Sequence, residues 1–470
     1  MEILKSKKEY DVIVVGSGAA GGVLAYNLNK SGAKVLLLEA GKDFRAKTFP
    51  KTEAEASPEL FYGGGIEFDK RTTMGFLRAR CLGGTTIVNQ ALLDRFDDVA
   101  FDDWRADTGV DWFSQDGLIR DYDAVEEKLE FTYIKEKHRN KSAHKFIDGM
   151  EKTGYEWGAL RRGQGNCATD QGQDCIDCLN GCKRNSKQST LVGYIQDAER
   201  EGLEIKCDFS VEHFEDNGDT VKVYCRHSGQ DKVFETKKLI LSAGSFGTTQ
   251  ILLKAELKHR LSAVGTGFTT HPQFLMFGVF DEIIDAHKGA FQSVKSDDPR
   301  FRPRGFKLEN VYAQPIGISQ LSPAIGLDFH RYMMKYRHIS CVEVAVRDEA
   351  TGTIALNSKG RLTIQKDLTD QDKSRSQDGL SIIREVLSAA GATEVIEGDI
   401  HFGLHLMGGA RMGVSADDSV VDPEFKVHGM ENVMVCDSSL FPNAPGINPS
   451  LTIMAMAHKL ATQLSDRKVG

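Results

Sequence analysis

Residues 11–39 read DVIVVGSGAAGGVLAYNLNKSGAKVLLLE, and the fold of the chain follows from them. Val12–Val15 is an unbroken apolar run, the mark of a strand buried on both faces of a parallel sheet. Gly16, Gly18 and Gly21 follow in G-x-G-x-x-G spacing. The first permits a tight turn, the second lets a pyrophosphate approach the backbone, and the third lets the next helix pack close to the strand. That helix spans Ala19–Lys30, with Ala19 and Ala20 at its cofactor end and Gly32 as a C-cap. A second apolar strand, Lys34–Leu38, ends in Glu39, whose carboxylate suits a ribose diol, and Ala40 opens the next loop. Three glycines alone are weak evidence. Strand, glycines, helix, strand and terminal acid together predict a site for an ADP-containing dinucleotide. They do not choose between FAD and NAD, since the acid serves the adenosine ribose of either.

The 470 residues suffice for two domains, or for one large domain carrying an insert. A hydrophobic share of 40% and a charged share of 27% are ordinary for a globular protein. With a net charge of −8 there is no basic excess to neutralise phosphates, so nucleic acid is not expected as a partner. Residues 1–10 are polar and do not form a secretory signal, and no stretch reaches the length of a membrane span. The expectation is a cytoplasmic protein with no intrinsic membrane segment.

Farther along, RARCLGGTTIVNQALLDR (78–95) places Gly83, Gly84 and Thr85 at the start of an apolar segment that includes Asn89. Backbone N–H groups and hydroxyls there suit a phosphate or flavin edge, although the same residues make ordinary turns. Residues 96–153 read as helical and acidic. Strands follow at 203–207, 221–226 and 233–241, with Val211 between the first two assigned to the cofactor set. The last strand enters a small-residue turn through Ala243 and Gly244, and a helix follows. From Phe274 to about Asp399, short alternating strands and an amphipathic helix at 370–390 suggest an antiparallel sheet with its own cover. The expected architecture is α/β. A Rossmann-type dinucleotide domain (1–95, 186–273, 400–470) carries an inserted α+β substrate domain (96–185, 274–399).

Two C-terminal stretches carry chemistry. His405 begins HLMGGARMG (405–413), whose glycines read as a loop that holds the imidazole near a cofactor. Asn448, Pro449 and Ser450 open the last helix, with proline at its first turn and free N–H groups at its N-terminus. Asn448 is either a plain N-cap or a group aimed at the reacting atoms.

These pieces resemble the glucose–methanol–choline (GMC) oxidoreductases, FAD enzymes that oxidise alcohols. The resemblance rests on GSGAAGG with Glu39, on LGGTTIVN (82–89), LSAGSFGTTQILL (241–253), VGTGFTTHP (264–272), HLMGGARMG, and DSSLFPNAPGINPSLTIMAMA (437–457). It is the resemblance that selects FAD. It implies that His405 faces flavin N5 and takes the substrate's hydroxyl proton as hydride leaves for N5, with Asn448 as its partner. It also implies that Asp437 holds the ribityl–phosphate portion. Gly267 stands where the family usually has asparagine. No histidine in residues 78–89 sits where some members attach FAD, so non-covalent binding is expected. The implied substrate is an alcohol: a sugar, polyol or glycoside first, a sterol or long-chain alcohol second. The acceptor would be O2 or a redox partner, and a flavin subunit of an electron-transfer complex is a further alternative.

Cys167, Cys175, Cys178 and Cys182 are spaced C-x7-C-x2-C-x3-C. Four thiols in one loop could hold zinc or an iron–sulfur cluster, but the spacing fits neither common ferredoxin pattern, and structural thiols or a disulfide are the plainer reading.

Overall fold

The computed structural model describes residues 9–165, 167, 175–322, 324–398 and 401–466, and of Cys175 the backbone alone. The quoted stretch forms β1 (Tyr10–Val15), α1 (Ala19–Lys30) and β2 (Val35–Leu38). β1 lies parallel to β2 and, on its other side, parallel to β3 (Gln230–Leu241). Glu204–Lys206 extends the sheet beyond β2, and Val433–Val435 lies parallel beside β3. An antiparallel meander through Val221–His227 and Ser210–Asp216 completes the first sheet. β1 and β2 are buried at nearly every position, as an uninterrupted apolar run requires. After β3 the chain turns into α2 (Gly244–Lys254), and the last helix, α3 (Ser450–Asp466), packs on α1.

The second sheet is antiparallel in its centre. β4 (Thr266–Val279) pairs with β6 (Ile339–Val346), which pairs with β5 (Phe306–Val311). On its other edge β4 pairs with β7 (His401–Met407). Helix Asp370–Ala389 starts at a Thr369–Asp372 capping box and buries Leu380, Ile383, Val386 and Leu387 against this sheet.

The layers do not divide at the residues expected from the sequence. β4 and β7 belong to the substrate sheet although most of β4 and all of β7 fall in stretches expected in the dinucleotide domain. Conversely, helices Asp98–Thr108 and Gln115–Lys128 bury Phe101, Trp104, Leu118 and Tyr122 in the dinucleotide core. A polar, acidic helical stretch gives no sign of which apolar face will receive it. Among the described residues no helix is long and apolar enough to cross a membrane.

Candidate active site

A cavity of about 560 Å³ is lined by both layers. Its lining includes Gly16, Gly18, Ala19 and Ala20 of the β1–α1 turn, Glu39 and Ala40 after β2, and Gly84, Thr85, Asn89, Val211, Ala243 and Gly244. Gly18 is the opening in this wall. No protein atom lies within 4 Å of where its Cβ would stand, whereas a Cβ on Gly84 would meet Gly18 Cα at 2.8 Å. An open glycine at the amino end of α1, facing a cavity, is what a pyrophosphate needs to approach backbone N–H groups.

Gly21 and Gly83, both placed in the cofactor set, support this wall and do not line it, Gly21 in the close-packing role its spacing predicts. A Cβ on Gly21 would stand 1.7 Å from the Gly16 carbonyl oxygen, so Gly21 sets the contact of α1 with β1. Gly83, at φ +96°, donates its N–H to Ser17 Oγ at 2.8 Å. That hydroxyl in turn donates to Glu39 Oε2 at 2.6 Å, and the Ser17 N–H reaches the same oxygen at 3.1 Å. The Gly41 N–H reaches Glu39 Oε1 at 2.8 Å. Burial pushes the Glu39 carboxyl up, and these donors oppose that shift, leaving an oriented acceptor on the cavity wall. Asp437 is held in the same way. Its Oδ2 accepts from the Gly244 N–H at 2.8 Å and the Thr248 hydroxyl at 2.5 Å, and Oδ1 accepts from the Ser439 N–H at 2.8 Å. It thus caps the start of α2 while lining the cavity. Oriented carboxylates, a glycine opening and two helix starts fit an extended FAD.

His405, Asn448, Pro449 and Ser450 line the same cavity. The sequence places His405 in a loop, but it lies inside β7, and the loop starts at Gly408. Its φ is +59°, in the left-handed region. Thr269 pairs with Met407 and His271 with Leu404, so β7 has one residue more than β4 between those pairs. The bulge breaks the strand's alternation and lets Leu404 and His405, neighbours in sequence, both face the cavity. A strained backbone at a chemistry-bearing side chain is a mark of a functional site.

Sequence reasoning missed the partners of this pair. His271 is 1% exposed, and its Nδ1 lies 2.8 Å from His405 Nδ1. Its Nε2 accepts the Gly446 N–H at 2.8 Å. Burial, with Lys307 nearby, holds His405 down to about 3, and burial with His405 beside it holds His271 well below the usual histidine range. Both rings are neutral. The Lys307 ammonium donates to Asn448 Oδ1 and lies 2.5 Å from Glu309 Oε1. Glu309 Oε2 accepts from the Gln292 amide at 2.6 Å. Glu343 stands opposite Glu309 across the β5–β6 pair, so the two carboxyls share the cavity face of the sheet. Burial and Glu309 hold Glu343 well above the usual carboxyl range, and it faces the cavity as a neutral group. The signal was there in the sequence. FKLENV (306–311) and ISCVEVAV (339–346) set charged residues inside apolar strands, and His271 stands next to last in a quoted motif.

Of the four cysteines, Cys178 and Cys182 are buried, and the Cys175 side chain lies outside the described residues. Cys182 Sγ accepts the Ser186 and Lys187 N–H groups at 3.3 and 3.4 Å. A hydrogen bond from Cys178 brings its thiol down to about 5. Among the described residues no group of three or more His, Cys, Asp or Glu is placed to hold a metal ion.

Comparison with known proteins places this geometry. The GMC oxidoreductase family models match residues 10–273 and 348–457. The long-chain-alcohol oxidase FAO4B of Arabidopsis thaliana is 26% identical, with 97% of this chain and 67% of that protein covered. The GMC-type oxidoreductase y4nJ of Sinorhizobium fredii is 25% identical over 96% of this chain and 94% of that one. Among solved structures, pyridoxine 4-oxidase from Mesorbium loti superposes with a TM-score of 0.72 at 14% identity, covering 97% of this chain and 99% of that chain. A formate oxidase of Aspergillus oryzae RIB40 gives 0.73 at 15%, with 98% of each covered. These two likenesses show the fold. A glycine-opened nucleotide wall, a substrate sheet carrying its histidine on a bulge, and family models covering most of the length make this chain a member of the GMC oxidoreductases.

Proposed function

We propose that the protein oxidises an alcohol, CH–OH to carbonyl, with FAD bound non-covalently along the cavity and the substrate oxygen held between His405 and Asn448. The observation that carries this is one cavity joining the Gly18 opening to both side chains. FAD, when bound, supplies the hydride acceptor. The chain's own residues orient the oxygen and exclude water from it: Asn448 is 8% exposed, and Phe402 and Leu404 wall the same space. The family resemblance gives the hydroxyl proton to His405, and that assignment turns on which ring nitrogen is already protonated.

The substrate we favour is a sugar, polyol or glycoside. Gln90, Gln273, Gln292, Lys307, Glu309 and Glu343 line the chamber, and a neutral Glu343 can donate to as well as accept from a hydroxyl. A second reading, a long-chain alcohol, is supported by Leu275, Phe291, Val311, Ile318 and Leu321 in the same wall and by the Arabidopsis relatives. An alkyl chain laid against the buried polar strip would leave Gln90 Nε2, which has no partner among the described residues, still unpaired, which disfavours it. The test is anaerobic bleaching of the bound flavin by glycerol, D-glucose, methyl glucoside, 1-butanol and 1-dodecanol. Bleaching by the polyhydroxy compounds supports the first reading, and bleaching by 1-dodecanol alone the second. No bleaching by any alcohol, with normal photoreduction, removes both. Peroxide formation on re-aeration separates O2 from a redox partner as acceptor.

A further inference from the structure

The cysteine loop carries charges that the alcohol site does not use. Lys187 and Arg162 are 2% and 1% exposed, and among the described residues neither is paired with a carboxylate. The Lys187 ammonium donates to the carbonyls of Ile87, Asn89 and Cys178. Arg162 gives one nitrogen to Gln90, and its Nε and Nη1 have no partner among the described residues. Buried cations without a carboxylate call for another anion. The Cys182 sulfur is placed to be that anion. The N–H groups of Ser186 and Lys187 point at it from 3.3 and 3.4 Å, the Arg184 amide joins them, and the Cys178 thiol donates to it. The Cys178 hydrogen bond, the amides and the Lys187 charge together hold the Cys182 thiol down at about 5 against burial. Burial holds Lys187 at about 8, so near neutral pH the two stand as thiolate and ammonium. Lys187 also grips both ends of the intervening turn. Its ammonium holds the Cys178 carbonyl at 2.7 Å while its amide holds the Cys182 sulfur, and Gly181, at φ +95°, reverses the chain between them. Both cysteines are reduced, and Leu179 and Asn180 of the same turn line the large cavity.

We propose that Cys182 and Cys178 are a peroxide-reactive dithiol, Cys182 the attacking sulfur and Cys178 the resolving one, and that their oxidant is hydrogen peroxide, the product O2 gives when it reoxidises a reduced flavin. The Cys182 thiolate attacks a peroxide oxygen, the O–O bond breaks and hydroxide leaves: RS⁻ + H2O2 → RSOH + OH⁻. The Cys178 sulfur then displaces the new hydroxyl from Cys182: RSOH + R′SH → RS–SR′ + H2O. Two electrons pass from sulfur to peroxide in all. The roles follow from the protons, since Cys182 is ionised and Cys178 holds the hydrogen it donates. Size selects the oxidant. Both sulfurs belong to residues more than nine-tenths buried, so a water-sized peroxide can reach them and a bulky disulfide such as oxidised glutathione cannot. Pairing the sulfurs removes the anion that Lys187 and Arg162 face, which favours the reduced form and makes the disulfide easy to reduce. Because added peroxide acts with no substrate present, this chemistry stands or falls apart from the alcohol reading.

The test uses FAD holoenzyme and hydrogen peroxide, followed by alkylation and cleavage at aspartate. Cleavage before Asp177 and Asp197 gives peptide 177–196, which contains Cys178 and Cys182 and no other cysteine. After millimolar peroxide this peptide should be two hydrogens lighter and resist alkylation, and dithiothreitol should reverse both changes. Unchanged mass, or a link from either sulfur to Cys167 or Cys175, overturns the proposal. Rates separate a thiolate from an ordinary thiol. From pH 8 to pH 6 the pairing should slow by less than about 3-fold, where an unperturbed thiol slows roughly 100-fold. A fall of that larger size also overturns the proposal. Dimedone, which traps sulfenic acids, assigns the roles. It should label Cys182 in Cys178→Ser and leave Cys178 unlabelled in Cys182→Ser. A label on Cys178 in Cys182→Ser, or none on Cys182 in Cys178→Ser, overturns the assignment. The wild-type mass and pH measurements need neither variant and decide the matter if one fails to fold.

Discussion

Replacing Gly18 by alanine separates cofactor binding from folding, because this glycine is open for the cofactor and not for the protein. Its backbone sits at φ −64°, ψ −158°, which any residue adopts, and nothing lies within 4 Å of the new methyl group. The folded apoprotein should therefore keep its stability to within about 1 kcal/mol, since a stiffer unfolded chain offsets the poorer helix cap that alanine makes at this N-cap position. The methyl group instead occupies space on the cavity wall where a pyrophosphate oxygen must come within hydrogen-bond distance of the backbone. Losing one or two charge-assisted bonds of roughly 1.5–3 kcal/mol weakens FAD binding by about 10- to 100-fold or more. Gly21→Ala is the control, since its Cβ would lie 1.7 Å from the Gly16 carbonyl oxygen and 2.8 Å from its carbon. Helix α1 would have to retreat from β1 by more than an ångström, a strain of about 3 kcal/mol or more. Urea unfolding of the apoproteins gives the first quantity, and titration of FAD by fluorescence quenching gives the second. Wild-type FAD affinity in Gly18→Ala, or the same destabilisation in both variants, would refute the reasoning.

Three further outcomes are expected. His405 has an unfolded value near 6.5 and a folded value of about 3, so the unfolded chain takes up the proton first on acidification. Its contribution is complete above pH 6.5 and is lost towards pH 3 at up to about 1.4 kcal/mol per pH unit. His405→Gln should accordingly flatten the acid limb of stability measured by urea unfolding between pH 6.5 and 4, and unchanged slopes would contradict the buried neutral ring. Lys187→Met should cost about 3 kcal/mol, because the buried ammonium, pushed down to about 8 by burial, bridges the carbonyls of Ile87, Asn89 (2.8 Å) and Cys178 (2.7 Å). An unchanged melting temperature would speak against that bridge. Glu343→Leu should shift flavin bleaching from glycerol towards 1-butanol by roughly 10-fold in relative rate, as a buried polar partner is lost and an apolar one gained. A preference that does not move would take Glu343 out of the substrate chamber.

Local sequence gave up the dinucleotide end of the molecule because backbone chemistry dictates it. A glycine beside a phosphate, an apolar strand buried on both faces and an acid after it are demands that residue types meet within thirty positions. His405 and Asn448 were visible from the family resemblance and from the proline-started helix. The strand carrying His405 was not, since two following glycines suggest a loop and a β-bulge depends on pairing with a strand far away in sequence, His271 and His405 being 134 residues apart. His271, Lys307, Glu309 and Glu343 were hidden for a similar reason. Each is polar inside an apolar run; only the register of β5 and β6 shows that Lys307, Glu309 and Glu343 share one face with the cavity, and only the β4–β7 pairing brings His271 against His405. The layer boundary through 96–129 was unreadable because amphipathic helices do not encode which core they cover.

Rapid-mixing anaerobic reduction of the bound flavin, wild type against His405→Ala, tests the central claim most directly. An alcohol that bleaches the wild type should bleach the variant 10²- to 10⁴-fold more slowly, with FAD content unchanged. Equal rates in the two proteins would mean that the bulge on β7 carries a structural histidine and that the chemistry lies elsewhere.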